Sequence, residues 1–221
     1  FSQEALEMTD EYMEKISYGL IEASCSLAEE RGPCEKFDET RYSKGIMPVD
    51  FANKEAKKLV KRKPSLDWKA LRKRAKTTGM RHSTLMAIAP TESSSVIQNS
   101  TNGIEPPRKM LIYKASKNGV LKQLVPNYEK YGQYYTMAFD EPADNLSMNK
   151  MVATLQKWLD MSISANHYYN YELFENSEVP LSVMLKDMIH GYKLGVKTLY
   201  YSVTPDASED DTVCEGGGCE I

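Results

Sequence analysis

Apolar residues recur at helical spacing in four places along the chain. Met13, Ile16, Leu20, Ala23 and Leu27 form one stripe, opened by Thr9-Asp10-Glu11 and stopped by Gly32-Pro33. Ser65-Leu-Asp is a good helix start for Trp68, Leu71 and Ala75, which face inward until Gly79. Met148, Val152, Leu155, Leu159 and Ile163 predict a helix over 148–162. Leu181, Met184, Leu185, Met188 and Ile189 predict a last helix, entered at Pro180, capped by Gly195 and packed by that face. Between the first two, 37–49 reads as a connector with one short helix at 40–44, pinned by Tyr42 and Met47. The aromatic-rich stretch 128–139 also reads as helical.

Period-two and short continuous apolar runs mark the strands. Ser83–Ala89 suits a buried strand, and Val196–Val203 a second. Asn118-Gly119 sits between Met110–Tyr113 and Val120–Val125, the strongest short-range hairpin signal. Helices alternating with short apolar strands indicate an α/β fold over 1–203, with no internal repeat. From 204 the pattern stops. The segment 204–221 is acidic, carries no basic residue from Pro205 onward, and cannot bury enough surface to order itself; it reads as a flexible tail.

Composition narrows the class. The chain has 221 residues and a formal charge of −3, which suits a domain with an ordinary core. No apolar run is long enough to span a bilayer, and no secretory leader pattern opens the chain. The four cysteines have no metal spacing and fit free thiols in a reducing, cytoplasmic setting. Cys25 and Cys34 read as inert thiols, and His82, His167 and His190 are too scattered to predict a metal site. The cations of 54–76 read either as solvated helix faces or as a surface for a polyanion; no stacking aromatics interleave with them.

Three stretches carry candidate chemistry. Pro90-Thr91-Glu92-Ser93-Ser94-Ser95 is a strand break running into an incipient helix. It gathers backbone N–H groups and hydroxyls at one spot, either to cradle a phosphate or simply to cap the helix. Tyr200-Tyr201 ends an apolar segment, as packing aromatics of a strand or as a pair of redox-capable phenols. Cys214 and Cys219 bracket Glu-Gly-Gly-Gly on the tail, where the glycines ease closure of a small disulfide ring. From Tyr201 to Cys214 the contour is at most ~45 Å, and a flexible coil of that length averages about 20 Å. That reach lets a dithiol visit an interior site and then an external reductant. A second pair, Tyr168-Tyr169, reads as packing aromatics.

The Pro90–Ser95 loop, the Thr101-Asn-Gly-Ile-Glu-Pro-Pro-Arg108 turn, Lys114-Ala-Ser-Lys-Asn-Gly119, and Lys197-Thr-Leu-Tyr-Tyr followed by the Cys214/Cys219 tail together resemble the large (alpha) subunit of class I ribonucleotide reductase. The resemblance covers essentially the whole chain. It implies the C-terminal part of the family's ten-stranded α/β barrel, from a split or truncated subunit. It further implies that Thr91, Glu92, Ser93 and Ser94 grip the substrate diphosphate. Tyr200 and Tyr201 would pass an oxidising equivalent inward, and Cys214 and Cys219 would reduce an active-site disulfide. The implied partners are the N-terminal part of the large subunit, a small (beta) subunit holding the radical and di-metal cofactor, thioredoxin or glutaredoxin, and a ribonucleoside diphosphate. No cofactor is implied in this chain, and neither nucleic acid nor membrane is an expected partner. The family's Asn-x-Cys-x-Glu motif, which carries the thiyl radical, is absent, so the isolated chain is expected to be inactive. The competing readings are a stand-alone dithiol oxidoreductase and a polyanion-binding protein using 54–76.

Overall fold

The computed structural model describes residues 1–101, 103–116, 119–140 and 144–205. Helices are Gln3–Arg31 (α1), Pro48–Phe51 (α2), Lys54–Leu59 (α3), Trp68–Thr78 (α4), Glu92–Ile97 (α5), Tyr128–Tyr131 (α6), Asn145–Gln156 (α7) and Leu181–Leu194 (α8). Strands are Leu111–Ser116 (β1), Gly119–Leu124 (β2), His167–Tyr168 (β3) and Ser202–Val203 (β4). Among the described residues, no helix is long and apolar enough to cross a membrane.

The architecture that matters is three parallel extended segments in sequence order. Met161 N donates to Met86 O, Ile88 N to Ser162 O and Ser164 N to Ile88 O, at 2.9–3.2 Å. The same central segment then bonds the last one: Tyr200 N to Ala165 O (2.8 Å), His167 N to Tyr201 O (2.9 Å) and Tyr169 N to Val203 O (2.8 Å). The predicted 83–89 and 196–203 strands are therefore present, but each is bonded over only part of its length. α7 and α8 lie on the connections between the segments and pack on each other. Parallel segments joined by helical connections are the arrangement expected of a piece of an α/β barrel. Asp160 fastens the first segment to the second: its carboxylate accepts Leu85 N (2.8 Å), Met86 N (2.9 Å) and the Tyr42 hydroxyl (2.8 Å). Lys197 fastens the third by donating to the carbonyls of Asp160 and Met161, both at 3.0 Å.

The core gathers Ile21, Cys25, Tyr42, Met47, Trp68, Leu71, Met80, Val152, Trp158, Leu159 and Ile163. The connector anchors Tyr42 and Met47 and the inward α4 residues thus sit as expected. So do Met148, Val152, Leu155, Leu159 and Ile163, although α7 stops at Gln156 and the last two lie beyond it. The connector's single short helix is instead two 3₁₀ turns, at Phe37–Glu39 and Tyr42–Lys44. The hairpin pairs Leu111 with Leu124 and Ser116 with Gly119; Asn118 lies outside the described residues.

Further helix expectations need correction. The stretch 128–139 is only the turn α6 and a 3₁₀ turn at Gly132–Tyr134. Beyond it the chain runs extended to let Ala138 N reach Pro107 O at 2.8 Å. α8 presents Leu181, Leu185, Met188 and Ile189 to solvent and buries Asp187, Gly191 and Leu194 instead. The reason is close approach: a Cβ on Gly191 would stand 2.9 Å from Asn149 Oδ1, and Asn149 Nδ2 donates to Asp187 O at 2.9 Å. α1 begins earlier than predicted, because the Ser2 hydroxyl caps Ala5 N.

The predicted α1 stripe is not its buried face. Ile16, Leu20 and Ala23 are exposed, as are Met8 and Tyr12, while Asp10, Glu14 and Ser17 are fully buried. Asp10 accepts the Trp158 indole N–H at 2.7 Å and pairs with Lys157 and Arg62. Glu14 accepts the Trp68 indole N–H (3.0 Å), Ser65 N (2.7 Å) and Leu66 N (3.1 Å), and pairs with Arg62 at 2.5 Å. The two indoles stack with centroids 5.7 Å apart.

Burial pushes the Glu14 carboxyl up, but the Trp68, Leu66, Arg62 and Ser65 donors outweigh it and hold it below its ordinary value of 4.5. The folded state then binds that proton more weakly than the unfolded chain. Its stabilisation is complete above about pH 4.5 and is lost as pH falls through the lower folded value. Glu14→Gln should cost about 2 kcal/mol near neutral pH, less than a fully buried pair because Arg62 keeps Asp10 and is partly exposed. The same variant should flatten the acid limb of the stability curve. Urea unfolding of both proteins at neutral pH and at pH about 4 checks the size and the sign; equal acid limbs would show that Glu14 does not carry the effect.

Candidate functional site

The tyrosine pair sits where the last segment meets the central one. The Tyr200 and Tyr201 rings lie side by side, centroids 4.2 Å apart and tilted by 55°, with hydroxyl oxygens 3.5 Å apart. Both rings are exposed, at 56% and 61%. The backbone beneath them is held by Tyr200 N to Ala165 O (2.8 Å) and Tyr201 N to Asn166 Oδ1 (3.1 Å). The hydrogen bond to Tyr200 raises the Tyr201 phenol above its ordinary value, because ionising it forfeits that bond.

Asn166 is itself clamped. Glu105 accepts both Asn166 N (2.6 Å) and Asn166 Nδ2 (3.1 Å), and it also accepts the Tyr168 hydroxyl. Burial, then the adjacent Glu105 carboxylate, pushes the Tyr168 phenol well up, so it stays a donor. Tyr169 is buried. The earlier tyrosine pair thus packs, as expected, with one hydroxyl committed to Glu105. Glu105 lies in the Thr101–Arg108 turn quoted above, though nothing there marks it apart from its neighbours except the stiff Ile-Glu-Pro-Pro context, and Asn166 carries no periodic or motif signal of its own.

The Pro90–Ser95 stretch runs into α5, as the sequence suggests. Thr91 O accepts Ser95 N (2.9 Å), and Thr91 Oγ1 accepts Gly103 N (3.0 Å). Ser94 is exposed. The side chains of Glu92 and Ser93 lie outside the described residues, and so do Cys214 and Cys219. Cys25 is buried, its thiol pushed up by burial; Cys34 is half-buried, and both are free. No group of three or more His, Cys, Asp and Glu able to hold a metal occurs among the described residues. Among the 54–76 cations, Lys58, Arg62, Arg72 and Arg74 each pair with a carboxylate.

Comparison with known proteins shows the family. The family model for "Ribonucleotide reductase, barrel domain" matches residues 1–131 and 125–202. The chain belongs to the ribonucleotide reductase barrel family. It is 45% identical over 222 residues to "Ribonucleoside-diphosphate reductase subunit alpha" of Haemophilus influenzae, covering 98% of this chain and 29% of that protein. It is 43% identical to "Ribonucleoside-diphosphate reductase 1 subunit alpha" of Escherichia coli, covering 98% of this chain and 30% of the relative. The reductase alpha subunit of Enterobacteria phage T4 is 42% identical over 95% of this chain and 28% of its own length. The chain thus spans about 30% of the length of these reductase relatives. They lend no support to a stand-alone dithiol oxidoreductase or a polyanion binder.

Replacing Tyr200 by Phe removes the partner that raises Tyr201. Tyr200→Phe should return Tyr201 to an ordinary phenol value of about 10. An ultraviolet difference titration reads this directly, and an unshifted Tyr201 in the variant would show that the hydroxyl bond is not made in solution.

Proposed function

We propose that this chain acts as the C-terminal part of a ribonucleoside-diphosphate reductase large subunit. Three jobs fall to it: gripping the substrate's phosphates, relaying an oxidising equivalent, and resetting the active-site disulfide. The observation that carries the reading is the tyrosine pair, two exposed phenols with oxygens 3.5 Å apart on the last parallel segment of a barrel piece. At that spacing an electron and a proton pass together from one phenol to its neighbour without a large rearrangement.

Tyr201 stands on the side of the radical-storing small subunit and Tyr200 on the side of the active site. Each phenol is oxidised by its outer neighbour and reduced by its inner one, so the pair ends each passage unchanged. Thr91, Glu92, Ser93 and Ser94 receive the diphosphate, chiefly through hydroxyl and backbone N–H groups. Cys214 and Cys219 then give two electrons and two protons to the disulfide left by turnover and close as a disulfide themselves. Thioredoxin or glutaredoxin reopens it by thiol–disulfide exchange. The radical and its di-metal cofactor belong to the small subunit, and the thiyl-bearing Asn-x-Cys-x-Glu motif to the N-terminal part of the large subunit.

Two features of the fold support a working state bound to those partners. The three parallel segments form an open set, whose edges favour pairing with further strands. Apolar stripes stand exposed on α1 (Met8, Tyr12, Ile16, Leu20) and α8 (Leu181, Leu185, Met188, Ile189).

In the enzyme assembled with its N-terminal part and small subunit, Tyr200→Phe should abolish ribonucleotide reduction while leaving subunit binding intact, since only a hydroxyl is lost. Near-normal turnover would count against the relay. Cys214→Ser should allow about one turnover per site with thioredoxin as reductant and then stall, yet cycle with a small dithiol that enters the site directly. Sustained cycling with thioredoxin would exclude the tail as carrier.

A further inference from the structure

The hydroxyl of Thr91 and the backbone of Tyr201 are joined by one short chain of polar contacts. Thr91 Oγ1 accepts Gly103 N at 3.0 Å. Two residues on, Glu105 takes Asn166 N at 2.6 Å and Asn166 Nδ2 at 3.1 Å. Because Nδ2 must face the carboxylate, the other end of the Asn166 amide is left pointing at Tyr201. There Oδ1 accepts Tyr201 N at 3.1 Å. The link is stiff. Pro106 and Pro107 follow Glu105 and restrict the backbone, Pro107 O is tied to Ala138 N (2.8 Å), and Ile104 packs on the core. The Tyr168 hydroxyl takes a further share of the Glu105 carboxylate and fixes its orientation.

We propose that Glu105 is a positioning residue that couples the Thr91 loop to the tyrosine pair by setting the orientation of the Asn166 amide. The inference rests on the reading of Thr91 to Ser94 as the diphosphate loop and of Tyr200–Tyr201 as the relay. A diphosphate that orders Thr91 orders Gly103 and Glu105 with it, and so tightens the bond under Tyr201. By linkage, a pair held in relay geometry binds diphosphate more firmly in return. Glu105 touches neither the substrate nor the hydroxyls of Tyr200 and Tyr201; it acts on the pair through Asn166.

The polarity of the link gives its test. In Glu105→Gln, the new amide N–H₂ faces Asn166 Nδ2, donor against donor, so the Asn166 amide turns over and Tyr201 N–H loses its acceptor. Adding Asn166→Asp supplies two acceptor oxygens, one for the introduced side-chain amide and one for Tyr201 N, with the charge merely moved across. Hydrogen exchange at the Tyr201 amide is measured in the full-length large subunit, with and without cytidine diphosphate, alongside diphosphate affinity, kcat and the unfolding midpoint. In the unsubstituted protein, diphosphate should slow exchange at Tyr201 on the order of tenfold. Glu105→Gln should abolish that response and lower kcat by a similar factor, and the double variant E105Q/N166D should restore both. A purely structural role would move the unfolding midpoint and leave the diphosphate response of Tyr201 in place. Persistence of the response in Glu105→Gln, or a double variant no better than the single one, overturns the proposal while leaving the functional reading intact. Failure of the unsubstituted protein to bind cytidine diphosphate would overturn that reading itself, and this proposal with it.

Discussion

Two carboxylates on one helix face hold this domain together. Asp10 and Glu14 are fully buried at the centre of α1 and reach four other parts of the chain: Arg62, the Ser65–Leu66 backbone before α4, the indole of Trp68, and Lys157–Trp158 after α7. Each buried oxygen would be costly alone, since an unpaired charge inside a protein loses several kcal/mol of hydration, so the carboxylates and their donors stand or fall together. The indoles link this polar centre to the hydrophobic one. Their N–H groups serve the carboxylates while their stacked rings join Ile21, Leu71 and Val152 in the core.

This arrangement explains why periodicity was a good guide to helix existence and a poor one to helix orientation. α1 and α8 are both where the spacing of apolar residues puts them. In each, however, the buried face mixes polar or small residues with apolar ones, Asp10, Glu14 and Ser17 beside Leu6, Ile21 and Cys25 in one and Asp187 and Gly191 beside Leu194 in the other, while Ile16 and Leu20, and Leu185, Met188 and Ile189, stand exposed. Hydrophobic patterning assumes that a helix has a single dry side. A helix that bonds through one face and keeps a second face for another surface breaks the assumption, and no count of apolar positions reveals which face is which. α4 has only one such face, and its Trp68, Leu71 and Ala75 were legible at once.

The site divides in the same way. Contiguous chemistry was legible: a strand break into hydroxyls at Pro90–Ser95, and adjacent phenols at Tyr200–Tyr201. What joins them was not, because Glu105 and Asn166 are 61 positions apart and meet only through the fold. A lone glutamate before two prolines and a lone asparagine after Ser-Ile-Ser-Ala look like any turn residues until the parallel segments bring them together. The short segment over 128–139 was misread for a related reason. Its aromatics suggest one helix, but only the first turns are helical, and Ala138 N is committed to a contact with Pro107 O that local sequence does not encode.

The place where the last ladder starts has a consequence for how the family's sequences can change. The first rung between the last segment and the central one is Tyr200 N to Ala165 O, so the phenols stand at the very start of the ladder. The number of residues between Lys197, anchored on the Asp160 and Met161 carbonyls, and that first rung is therefore a gauge. Inserting or deleting a single residue there would slip both phenols by one position against the central segment while every residue of the motif stayed in the chain. In this stretch spacing is as much a part of the chemistry as the hydroxyls themselves.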